Sequence, residues 1–202
     1  MKPLSPPAAT AALRVLVIDE SHRRGAELCA GLAMAGCQVA AVLAGAEDLA
    51  RQVEALKPDM ILIGTDNPSR DTLEHLAAMN RDMPRPVVIF ADEGDQDCIR
   101  DAMKAGVAAY VVDGLEPARV KPVMDVALAR FEAEQALKRE LVLTQKKLSE
   151  RRLVEQAKGL LMKLKGLDED QAYKLLRKLA MDRGQPIGTV AQNVLETARL
   201  LL

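Results

Sequence analysis

Five short apolar runs recur through the first half of the chain, each separated from the next by a segment with helical or turn character. They are Arg14–Asp19 (RVLVID), Gln38–Leu43 (QVAAVL), Met60–Gly64 (MILIG), Val87–Ala91 (VVIFA) and Ala109–Val112 (AYVV). Arg23–Ala35 and Asp95–Ala105 are two of the intervening helical stretches. Runs this short and this apolar suit strands buried on both faces, and strands alternating with helices imply βαβ units. The expected fold of residues 13–128 is therefore α/β and flavodoxin-like, a five-stranded parallel sheet. Ligand chemistry in such a fold belongs at the carboxyl ends of the strands.

The second half has a different period. Neither Gly nor Pro occurs between Pro122 and Gly159, and a helix is expected from just after Pro117 to about Lys165. Within it Leu137, Leu141, Thr144 and Leu148 step by four, three and four, a short heptad seam flanked by charge. Residues 129–149 are thus expected to connect two domains as a coiled-coil helix, with a homodimer as the form that would bury the seam. Residues 150–202 read as a three-helix bundle. Its first helix turns Leu153, Ala157, Leu160, Leu161 and Leu164 to one face and stops at Gly166. Its second begins at Asp168, with Gln171 three residues on as in a capping box, buries Ala172, Leu175, Leu176 and Leu179, and ends at Gly184. Its third opens at Pro186 and packs Ile187, Val190, Ala191, Val194 and Ala198.

Charge separates the same two halves. Residues 1–128 carry 13 Lys and Arg against 19 Asp and Glu, whereas residues 129–202 carry 15 against 10. The basic half is the one expected to meet an anion. The opening, with prolines at 3, 6 and 7, has no signal-peptide pattern, and residues 1–12 are expected to be a flexible terminus. Nothing in the chain approaches a membrane span, so a cytoplasmic protein without membrane contact is expected. Three separated cysteines (Cys29, Cys37, Cys98) and two histidines (His22, His75) make neither a disulfide framework nor a metal cluster. No nucleophile–His pair and no Gly-rich phosphate loop assembles, so neither an enzyme nor a cofactor-binding protein is expected.

The strand ends carry a recognisable but incomplete set of groups. Asp19 and Glu20 close the first run, and PDMILIGTDNPSRD follows as Pro58–Asp71. With the five βα units, these residues resemble the receiver domain of bacterial response regulators. That resemblance implies an acidic pair holding Mg²⁺, a phosphate-accepting aspartate, a hydroxyl residue and a lysine. The acceptor position falls on Gly64, the hydroxyl position on Ala91 and the lysine position on Asp113, so all three lack the expected chemistry. Tyr110 stands at the aromatic switch position. The domain is expected to be a pseudo-receiver without an obligatory metal. Asp66, two residues past Gly64, is the fallback acceptor for the alternative reading, a phosphorylation-dependent two-component response regulator.

The last segment, Ser149–Leu195, closely resembles the ANTAR domain through AKG at Ala157–Gly159, Leu161–Met162, Ala172–Arg177, Ala180–Arg183 and Val190–Ala191. The resemblance implies a transcription antiterminator that binds leader RNA with paired hairpin loops and acts on RNA polymerase indirectly. The words AYVVDGL and DNPSRDTLEH are similar to the nitrate-assimilation (NasT-type) branch, which implies a nitrate- or nitrite-sensing regulatory protein as partner. Independently of the family, Lys158, Lys163, Lys165, Lys174, Arg177, Lys178 and Arg183 lie off the expected apolar faces, where they can neutralise phosphates. Tyr173, the aromatic residue of the bundle, is the candidate for stacking on an unpaired base.

Overall fold

The computed structural model describes residues 12–113 and 115–201; apart from Ala12, the expected flexible terminus lies outside the described residues. The first unit alternates strand and helix: β1 (Arg14–Asp19), α1 (His22–Met34), β2 (Gln38–Leu43), α2 (Leu49–Leu56), β3 (Met60–Thr65), α3 (Arg70–Asp82), β4 (Val87–Ala91), α4 (Gln96–Lys104) and β5 (Ala109–Val112). All neighbouring strands run parallel in the order β2-β1-β3-β4-β5. This is the flavodoxin-like order expected from the sequence. Only β3 differs from its expected bounds, extending one residue to Thr65.

Alternate residues of each strand enter opposite layers, which is why β1, β3 and β4 are almost wholly apolar. Leu16, Ile61, Ile63 and Ile89 pack with Leu49, Val53, Leu76 and Met79 on one side. Val15, Val17, Leu62 and Phe90 pack with Leu28, Leu32, Val120 and Met124 on the other. Side-chain caps fix three of the helix starts: Ser21 accepts from the Arg24 amide, Ser69 from Thr72 and Asp95 from Cys98.

Gly31 of α1 sits in tight contact with the start of the helix that follows β5. A Cβ there would stand 2.5 Å from Val120 Cγ2 and 2.9 Å from the Pro117 carbonyl oxygen. Alanine raises helix propensity by about 1 kcal/mol over glycine. Overpacking against a branched side chain and fixed backbone costs about 1–3 kcal/mol. The clash should win, so Gly31→Ala is expected to lower the urea midpoint without changing the slope of the transition.

Helix α5 (Pro117–Lys165) is continuous through Pro122, and the chain divides within it, after Glu134. Leu137, Leu141 and Leu148 of the expected seam are exposed, as are Val142 and Leu143. In the second unit the end of α5 packs with α6 (Glu169–Arg183) and α7 (Ile187–Leu201). Ala157 and Leu161 meet Ala172, Leu176, Ala180, Val190 and Ala191 in its core, with Leu153, Leu175, Leu179, Ile187 and Val194 at the margin. Leu164 departs from its expected place: it is exposed, because the core ends at Leu161, one turn earlier. The Asp168–Gln171 capping box forms in both directions, and Gly184 closes α6 with φ 59°.

Candidate functional site

Parallel register brings the receiver-like positions to one edge of the sheet. Asp19 pairs with Gly64 across β1 and β3, Thr65 pairs with Ala91 across β3 and β4, and the Asp113 amide donates to the Ala91 carbonyl. A polar cleft of about 430 Å³ opens at this edge, lined in part by Asp19, Glu20, Arg24, Gly64, Asp66 and Thr72.

The centre of that edge is a guanidinium, Arg24, which the sequence reading did not single out. It is 6% exposed. Its Nε donates to Asp19 Oδ2 at 3.0 Å, and its Nη1 donates to Asp66 Oδ1 and Asp92 Oδ2, both at 2.7 Å. Burial works against the charge, but the hydrogen bonds to Asp66 and Asp19 outweigh it and hold the group firmly protonated. The same bond from Arg24 keeps the Asp66 carboxyl below the usual carboxylate range. That tie therefore persists as pH falls through the ordinary range and is released only in stronger acid.

The signal for Arg24 was present in the helical period. Arg24, Leu28 and Leu32 are spaced by four, so the arginine lies on the buried stripe of α1. A charge on a buried stripe needs a partner at its head. Asp92, immediately after β4, was also passed over.

Around Gly64 there is no room for an acceptor. A Cβ at that position would fall 1.8 Å from Asp19 Oδ2 and 3.1 Å from Arg24 Nε. Asp19 thus occupies the space that an acceptor side chain would enter. Asp66, the fallback acceptor, has a side chain that is 84% exposed but committed to Arg24. Glu20 and Asp113 are exposed. Tyr110 is half-buried, its hydroxyl donating to the Glu93 carbonyl at 3.2 Å and lying 3.6 Å from Cys98 Sγ.

The Mg²⁺ implied by a receiver site does not fit these residues. Asp19, Asp66 and Asp92 at this edge are already spanned by a fixed monovalent cation. Among the described residues, no group of three or more His, Cys, Asp or Glu is disposed to hold a metal.

The bundle presents a second surface. Tyr173, Lys174, Arg177, Lys178 and Arg183 are all exposed on α6, and Lys163 and Lys165 on the last turn of α5. Tyr173, Arg177 and Met181 follow one another at four-residue steps, so they form one line along α6, with Lys174 and Lys178 beside it. Tyr173 is 43% exposed and Met181 73%. Met181 was not among the expected contacts. Its apolar side chain, left bare on a charged face, was the available signal.

Two basic candidates are engaged within the bundle. Lys158 is 8% exposed, its Nζ 2.8 Å from Glu169 and 3.0 Å from Glu155. The hydrogen bond to Glu169, then that to Glu155, raises its pKa above the usual lysine value. Lys174 pairs with Asp170 at the surface, where such a pair is worth little. A groove of about 510 Å³ opens between α5, α6 and α7, with Leu160, Leu164 and Val194 forming its apolar lining and Arg183 at its edge.

Residues 143–195 match the ANTAR domain. The chain is 29% identical over 184 residues to the transcriptional regulatory protein PdtaR of Mycobacterium tuberculosis, spanning 91% of this chain and 90% of that protein. It is 39% identical over 66 residues to the nitrate regulatory protein of Klebsiella oxytoca, which is 33% of this chain and 17% of that one. Among solved structures, the receiver domain of a diguanylate cyclase from Desulfovibrio desulfuricans superposes with a TM-score of 0.53 at 18% identity. It covers 61% of this chain and 98% of the other. A receiver domain protein from Methanospirillum hungatei gives 0.53 at 18%, covering 61% and 99%. At these identities the structural likeness speaks for the fold: the first unit is receiver-like. No described helix is long and apolar enough to cross a membrane.

Proposed function

We propose that this chain, a regulator carrying an ANTAR domain behind a receiver-like α/β domain, is a cytoplasmic RNA-binding transcription antiterminator rather than an enzyme. The observation that carries the reading is the exposed line Tyr173–Arg177–Met181, bordered by lysines, inside the residues that match the ANTAR domain. Cations there neutralise backbone phosphates, and the aromatic and guanidinium planes accept unpaired loop bases. The ligand is leader RNA with paired hairpin loops, and RNA polymerase is affected only through that leader. Lys163, Lys165, Arg177, Lys178 and Arg183 are the phosphate-facing candidates, with Lys174 joining them by giving up its weak surface pair.

Lys158 has a different part in this reading: it ties α5 to the start of α6. Its partners Glu155 and Glu169 are both solvent-exposed, so an apolar residue of similar length at 158 leaves no buried charge unpaired. Lys158→Met is therefore expected to leave RNA affinity and its salt dependence unchanged, as read by filter binding across a salt series. The decisive test of the function is competition between a two-hairpin leader RNA and duplex DNA for the full chain. Equal affinity for both, or indifference to loop sequence, would reject specific RNA recognition.

The receiver-like unit serves in this reading as a docking and control domain, and the partner is a nitrate- or nitrite-sensing protein. Support comes from the stretch shared with the Klebsiella nitrate regulatory protein and from the acid excess of residues 1–128. Size-exclusion chromatography with the candidate sensor, with and without nitrate, tests it; a complex that never forms, or that ignores nitrate, removes it. The bare seam at Leu137, Leu141 and Leu148 is assigned to a second copy of the chain in a coiled coil. Light scattering of the wild type and of Leu141→Glu reads that directly.

A further inference from the structure

We infer that Arg24 is a built-in counter-ion, standing among Asp19, Asp66 and Asp92 in place of the divalent cation of a receiver site and holding that edge of the sheet in one arrangement whatever the metal supply. The geometry carries this. Three carboxylates from the ends of β1, β3 and β4 converge on one guanidinium contributed by α1. The bridge does not hang on flexible chain. The Asp92 amide donates to the Thr65 carbonyl and the Glu93 amide to the Asp66 carbonyl, so the two loops are already tied backbone to backbone. Asp19 is fixed as well, because its Oδ1 accepts from the Ser21 amide at 2.8 Å while Oδ2 takes Arg24.

A planar guanidinium suits this task. It presents several N–H donors in a rigid fork and stays charged at any physiological pH. A magnesium ion would need to displace it, shed its own waters and fit octahedral geometry around carboxylates that Arg24 now orients. Removing the arginine alone would leave Asp19 buried and unpaired, a state proteins avoid strongly. The vacated space is then best filled by a small divalent cation from solvent. Arg24 is accordingly a positioning residue whose loss converts a metal-blind domain into a metal-dependent one.

The experiment is a thermal melt of the full chain with increasing MgCl₂ or MnCl₂ at constant ionic strength, for the wild type, Arg24→Met and Arg24→Lys. The wild type should melt at one temperature throughout. Arg24→Met should melt lower without metal and regain stability saturably with Mn²⁺, and adding Asp19→Asn should abolish that recovery. If Arg24→Met cannot be purified, Arg24→Lys decides, because one ammonium cannot span three carboxylates; it should show a smaller loss and the same saturable recovery. A saturable metal response of the wild type overturns the inference. So does a variant whose stability falls without any metal response, which would leave Arg24 a structural residue only.

Discussion

Gly64→Asp, the substitution that nominally restores a phosphate acceptor, is expected to cost stability and gain no phosphorylation. The new Cβ would lie 1.8 Å from Asp19 Oδ2, inside any tolerable contact, and Asp19 cannot retreat while Arg24 and the Ser21 amide hold both its oxygens. Overpacking of this kind costs about 1–3 kcal/mol, and a second buried carboxylate beside the first adds at least about as much. A loss of roughly 3 kcal/mol or more is expected in urea unfolding of the full chain, enough to remove much of a domain's margin. Incubation of the wild type or the variant with acetyl phosphate and Mg²⁺, followed by intact mass measurement, should show no adduct. A stoichiometric phosphoryl gain on the wild type, lost in Asp66→Ala, would restore the two-component reading.

The largest effect on binding is expected from the exposed face of α6. Tyr173→Ala should weaken the leader RNA complex by about 1–3 kcal/mol if a base stacks there, five-fold to more than a hundred-fold in affinity. Arg177→Ala with Lys178→Ala should act otherwise: affinity falls for every RNA, and the slope of log K against log salt flattens by about 1 per lost contact. The two signatures separate a stacking residue from a phosphate clamp. Met181→Ala discriminates further, since it removes apolar cover and no charge. Circular dichroism should remain unchanged for all of these, because none of the four side chains enters the core.

Much of the fold was legible because its signals are local. Strands such as VVIFA and RVLVID are apolar on both faces, and only a covered parallel sheet uses such runs. The Asp168–Gln171 box and Gly184 fixed the ends of α6 within a residue. The site was less legible. The degenerate positions were found by counting along each strand, but what replaced them involves residues 5, 42 and 68 apart in sequence, joined only when parallel pairing sets the strand ends side by side. The ion pair between Lys158 and Glu169 was hidden for the complementary reason. The lysine lay off the apolar face of its own helix, yet Glu169 comes from the next one, and a helical wheel of α5 alone has no knowledge of it. Leu164 was counted into the core because its period fits; the bundle simply stops one turn short of it.

The crowding above Gly64 also makes an acceptor at that position difficult to introduce by single steps. An aspartate introduced at position 64 meets Asp19 held in place, and an Arg24 replacement made first leaves Asp19 buried without a charge partner. Each change alone is costly, and the two are coupled, a strong case of non-additivity between touching residues. Mutational paths from this sequence to an aspartate at position 64 therefore pass through destabilised proteins whichever change comes first.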